Sequence, residues 1–206
     1  MNTPWDNVSK FEELIADYAG SKYAVAVDSC TNAIFLSLKY AKDVLREDVD
    51  YIEVPKKTYI SVPMQVMHTG YKVKFTTDEW IGAYKLNPLS VYDSAQRFTK
   101  GMYIPGSLYC LSFNHKKTLS TGKGGMILTD DIDAKKWLDI MKYDGRTSIF
   151  YNENTDIDQL GYHMYMAPEQ AVIGIQNFYG LPDRNPDKMG YRDYNLDLST
   201  LKAFHG

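Results

Sequence analysis

Four polar clusters in this chain combine residue types that can do chemistry: Ser29-Cys30-Thr31-Asn32, Thr58, Asp93-Ser94-Ala95-Gln96 and Ser112-Phe113-Asn114-His115-Lys116-Lys117. Lys117 carries an amine that burial can shift toward neutrality, which makes it a nucleophile and afterwards a proton carrier. Taken alone, beside Lys116, it reads as a solvated loop lysine. Asp93 is either a working carboxylate or a turn residue closing a strand. Cys30, Thr31 and Asn32 stand where a helix begins, so their backbone N–H groups and the helix dipole form an anion site. Plain capping by Ser29 or Thr31 would have the same sequence signature. Tyr59 is either an aromatic platform for a ligand ring or core packing.

These clusters all follow short apolar runs. Tyr23–Val27 is predicted as a buried strand followed by a helix over 33–44, with Ile34, Leu38 and Ala41 on one face. Further strands are predicted at 51–54, 73–75, 90–92, 108–113 and 126–128, with helices at 59–68, 133–143 and 168–178. Trp137, Ile140 and Met141 are expected to face inward. The first helix is read from a Ser9/Glu12 capping box, and Gly20 ends it. Residues 78–88 show no clear period. Strands alternating with helices imply an α/β domain with a mostly parallel sheet flanked by helices. Ligands of such sheets bind at the carboxyl ends of the strands, where the four clusters would meet.

Bulk properties exclude several classes. With 206 residues, 44% hydrophobic and 24% charged, the chain can bury a core without a metal or disulfide staple. A net charge of −3 without a basic block argues against a nucleic-acid partner. Cys30 and Cys110 are expected to be buried, reduced thiols, and the four histidines show no metal-ligand spacing. No apolar run reaches membrane-spanning length, and the start lacks the regions of a signal peptide, so a cytoplasmic protein without membrane contact is expected. The chain is expected to divide into a domain over 1–180 and a polar, loosely packed tail over 181–206.

The motifs, in their order and spacing, resemble the DegT/DnrJ/EryC1/StrS family of pyridoxal-phosphate (PLP) dependent sugar aminotransferases. The likeness runs through Phe11-Glu12-Glu13, Tyr23-Ala24-Val25-Ala26-Val27, Ser29-Cys30-Thr31, Val54-Pro55 and Thr58-Tyr59. It is sharpest at Asp93-Ser94-Ala95-Gln96, at the Ser112 to Lys117 run and at Thr121-Gly122-Lys123-Gly124-Gly125, and it fades after residues 161–176. It implies the large domain of an aspartate-aminotransferase-like fold, shortened by most of the small C-terminal domain, of which 181–206 would be a remnant. Lys117 then carries PLP as a Schiff base and Asp93 pairs with the pyridine nitrogen. Gln96 lies near the ring hydroxyl and Tyr59 stacks on the ring. Ser112, Cys30 and Thr31 hold the phosphate, and His163 reaches it from a neighbouring subunit.

The implied activity is amino transfer from an amino acid, glutamate foremost, to a keto-sugar nucleotide in polysaccharide biosynthesis, by a homodimer. Departures from the family pattern are Cys30 for its usual Gly, Lys123 for Glu, His163 for Asn, Tyr165 for Arg, and a short segment between Phe75 and Val91. Two other readings accompany the enzyme. One is a fold remnant that binds PLP or a sugar nucleotide without turnover, or that partners a full-length enzyme. The other is an α/β interaction domain without a cofactor.

Overall fold

The computed structural model describes residues 3–147, 157 and 159–205. Helix α1 (Asp6–Ala19) leads into β1 (Tyr23–Val27), then α2 (Cys30–Asp43), β2 (Tyr51–Pro55), α3 (Ser61–His68) and β3 (Lys72–Thr76). Short strands β4 (Tyr84–Lys85) and β5 (Val91–Asp93) follow, then β6 (Leu108–Ser112), β7 (Gly125–Thr129), α4 (Ile132–Met141) and α5 (Pro168–Phe178). Five strands form one sheet in the order β1-β7-β6-β5-β4, and β2 and β3 form a second. Parallel pairing holds β5 to β6 and β2 to β3, while the other pairs are antiparallel, so the sheet is mixed. The Glu53 N–H donates to the Asn87 carbonyl at 2.8 Å and ties the two sheets together.

The strands alternate with period two, but both of their faces are apolar. Val25, Val27, Cys110 and Ile127 face one way and pack with Ile34 and Leu38 of α2. Ala24, Ala26, Tyr109, Leu111, Met126 and Leu128 face the other and pack with Phe11 and Ile15 of α1. A strand buried on both sides has no polar face, and helices must cover it twice. The expected α/β layering is therefore present. Among the described residues no helix is long and apolar enough to cross a membrane.

Three expectations are corrected. Helix α1 starts at Asp6, not at a Ser9/Glu12 box, and the Thr3 N–H and hydroxyl donate to the Asp6 carboxylate at its start. Glu12 instead points at the sheet, accepting from the Ala26 N–H at 2.7 Å and the Lys142 ammonium at 3.0 Å. In α4 the buried side chains are Ala134, Leu138 and Met141, while Trp137 and Ile140 are half-buried. Finally, the segment after α5 is not loose. Leu198 is 1% exposed, its N–H donates to the Lys56 carbonyl at 2.8 Å, and Lys56 pairs with Asp197 at 2.7 Å. Phe204 packs edge-on against Phe75, and Tyr194 packs at a tilt against Trp80.

Candidate active site

The ends of β5 and β6 and the start of α2 open onto one cavity of about 630 Å³, a size suited to a cofactor or small substrate. Lys117 enters it from the loop after β6. That loop is pinned by Phe113 N–H to Gly124 carbonyl (2.9 Å), His115 N–H to Gly122 carbonyl (3.0 Å) and Lys117 N–H to Asn114 carbonyl (2.8 Å). Phe113 and Leu119 are buried on either side of Lys117 and hold the turn onto the sheet. Burial pushes the Lys117 amine below its ordinary 10.5, and the Lys188 charge lowers it further, while Cys30 and Asp93 act the other way.

Asp93 closes β5 and is 5% exposed. One carboxylate oxygen accepts from the Tyr84 hydroxyl and the other from the Ala95 N–H, each at 2.9 Å. Burial pushes its pKa up, against those two hydrogen bonds and the Lys117 charge. A carboxylate has about four lone-pair sites, so Asp93 keeps capacity for a further donor.

At the start of α2, the Asn32 N–H is capped by the Ser29 hydroxyl and the Ala33 N–H by the Ser29 carbonyl. The Cys30 and Thr31 amides precede the first intrahelical donor and have no helical acceptor of their own. Gly125 of β7 makes this placement possible, because a Cβ there would run into the Ser29 carbonyl and the Cys30 amide. The Thr31 and Ser61 hydroxyls are 2.8 Å apart. Burial pushes the thiols of Cys30 and Cys110 up, so both are inert neutral groups.

Lys117, Asp93, Gln96, Ser112, Cys30, Thr31 and Tyr59 therefore line a single cavity. His163 does not: it lies 3.3 Å from the Asp144 carboxylate and edge-on to Tyr165. Sequence reasoning missed Tyr84, which orients Asp93, because it lies in the stretch without a readable period. It also missed Lys188, Met189 and Tyr194 at the cavity wall. The Gln96 side-chain amide donates to the Tyr194 hydroxyl at 3.0 Å.

The chain matches the DegT/DnrJ/EryC1/StrS aminotransferase family over residues 2–104 and 104–191. It belongs to this family. The putative sugar aminotransferase Spr1654 of Streptococcus pneumoniae, similar in fold at 16–17% identity, has solved structures in PLP and PMP forms. Among curated relatives of this family member, "Spore coat polysaccharide biosynthesis protein SpsC" of Bacillus subtilis is 26% identical over 85% of the chain, and MJ1066 of Methanocaldococcus jannaschii is 27% identical over 81%. The chain spans 57% and 55% of their respective lengths. The sugar aminotransferase CalS13 of Micromonospora echinospora superposes with a TM-score of 0.72 at 17% identity, over 84% of this chain and 60% of that one. PseC of Helicobacter pylori, an aminotransferase of pseudoaminic acid biosynthesis, gives 0.71 at 15%, over 84% and 57%.

Proposed function

We propose that residues 1–180 form a PLP-binding domain and that the protein transfers an amino group from an amino acid, glutamate foremost, to a keto-sugar nucleotide. The observation that carries this reading is that an amine, Lys117, and a buried carboxylate, Asp93, line the same cavity as a helix N-terminus. The donor set fits the cofactor: Asp93 retains acceptor capacity for a ring N–H, and the Cys30 and Thr31 amides with the Ser112 hydroxyl suit a phosphate. Tyr59 suits the ring face and Gln96 the ring hydroxyl. When bound, PLP supplies a protonated pyridine ring that draws electrons from a substrate carbon.

The chain's own residues would do the rest. Asp93, fixed by Tyr84 and Ala95, would keep the ring nitrogen protonated through a charge-assisted hydrogen bond of about 1.5–3 kcal/mol. Lys117, with its amine pushed down by burial, would be the residue that holds the cofactor, through Nζ, and that moves a proton to and from the substrate carbon. The protein would work as a cytoplasmic homodimer in polysaccharide biosynthesis, with His163 reaching the partner's phosphate site. SpsC, whose name places it in spore coat polysaccharide biosynthesis, supports that setting.

Adding PLP to the protein should produce a near-visible absorption band that Lys117→Ala abolishes. No band, or a band that survives the substitution, would end this reading. A second reading is binding without turnover. It predicts a PLP band that glutamate never converts to the pyridoxamine form.

A further inference from the structure

The segment after α5 brings a further cation into the cavity. Lys188 lines the cavity together with Lys117 and Asp93. Its backbone is held on both sides. The Lys188 N–H donates to the Gln96 carbonyl at 2.9 Å, and the Gly82 N–H donates to the Met189 carbonyl at 3.0 Å. On the other side Asp187 is gripped by the Arg97 guanidinium, from Nε at 3.0 Å and from Nη2 at 2.7 Å. A fork of this kind fixes direction as well as distance.

The Lys188 ammonium itself is poorly served. Its hydrogen-bond partner is the Lys116 carbonyl at 3.4 Å, a long contact. Among the described residues no carboxylate lies within ion-pair distance of it, whereas Lys56 and Lys100 each have one and Lys142 has two. Of the lysines that the β6–β7 loop brings to the cavity, Lys123 is already paired with Asp28 at 3.6 Å. The cavity thus holds a positioned positive charge without an anion.

We infer that Lys188 recognises the α-carboxylate of the amino-acid donor. This deepens the aminotransferase reading and rests on it. Geometry selects the carboxylate over the phosphates of a nucleotide. The donor bonds through its α-nitrogen at the place where Lys117 acts, and its carboxylate carbon is only two bonds from that nitrogen. A diphosphate is separated from the reacting carbon by part of a sugar ring. Lys188 and Lys117 line the same cavity, in keeping with this short reach.

The test uses the PLP-loaded protein and two probes read by their equilibrium absorbance change. One is α-methylglutamate, which has no α-hydrogen to lose and so cannot turn over. The other is 4-aminobutyrate, which lacks the α-carboxylate. Lys188→Met should weaken α-methylglutamate by about 10- to 100-fold, the effect of one charge-assisted contact, and leave 4-aminobutyrate and PLP affinity within about twofold. Lys188→Arg should restore most of the loss. Equal weakening of both probes, or no weakening of α-methylglutamate, overturns the assignment while the PLP site stands. Absence of a PLP band in the unsubstituted protein removes the aminotransferase reading and this inference together.

Discussion

Lys117 and Lys142 are both withdrawn from solvent, yet the chain treats them in opposite ways. Lys142 is 4% exposed in its side chain and lies 3.0 Å from Glu12 and 2.9 Å from Asp139, and these carboxylates push its pKa up despite burial. Asp139 also accepts from Lys135. Lys117 shares its cavity with one deeply buried carboxylate, Asp93, whose two oxygens are already engaged by Tyr84 and Ala95, and its pKa is pushed down. The lesson is that burial alone does not make a lysine reactive. Full pairing locks the proton on and makes a structural pin; partial burial with the counter-charge occupied elsewhere leaves an amine that can give the proton up.

The largest expected effect breaks the pin. Lys142→Met leaves Glu12 and Asp139 without their buried cation and should cost about 3–5 kcal/mol. At about 2–4 °C per kcal/mol for a chain of this size, that is a fall in melting temperature of roughly 6–20 °C. Lys117→Ala should leave the melting temperature of the cofactor-free protein within about 2 °C of its parent, and calorimetry of the pair decides it. If the two variants melt alike, the contrast between the lysines is wrong.

Asp93→Asn comes next. It keeps the shape and the Tyr84 contact but removes the charge opposite a ring N–H, so PLP affinity should fall by about tenfold or more, read by titration of the near-visible band. Unchanged affinity would remove Asp93 from the cofactor. A smaller and purely steric effect is expected from Gly125→Ala, whose Cβ would displace the Ser29–Cys30 peptide. Affinity for PLP should fall severalfold, while pyridoxal without phosphate should bind as before. Loss of both would mean that the substitution disturbs the sheet and not the anion site.

Much of this architecture is legible in the sequence. Strand β1 and helix α5 begin and end where the apolar period and the flanking Gly and Pro place them. The cavity residues were readable because strand ends in an α/β layer converge whatever the details of the loops. What was hidden lay in aperiodic stretches. Strand β4 has only two residues, too few to show a period, so Tyr84 was not seen as the residue that orients Asp93. Residues 181–206 are polar in composition, but Tyr194, Leu198 and Phe204 dock singly, each into a site made by distant chain. Glu12 illustrates the converse error: a local capping rule lost to a buried partner 130 residues away.

The finest test of the two lysines is pH. For Lys142 the folded value lies above its ordinary 10.5, so between the two the folded state holds the extra proton. Its stabilisation is complete below pH 10.5 and is lost as pH rises toward the folded value. For Lys117 the folded value lies below 10.5, so in that window the unfolded chain holds the extra proton and stability rises with pH. Urea unfolding from pH 8 to 11 should therefore give difference curves of opposite kind. The penalty of Lys142→Met stays level up to about pH 10.5 and then shrinks. The difference between parent and Lys117→Ala shifts in the parent's favour as pH climbs toward 10.5 and levels off there. Parallel curves would mean that both amines hold their protons alike, and the chemical distinction between the two sites would fall with them.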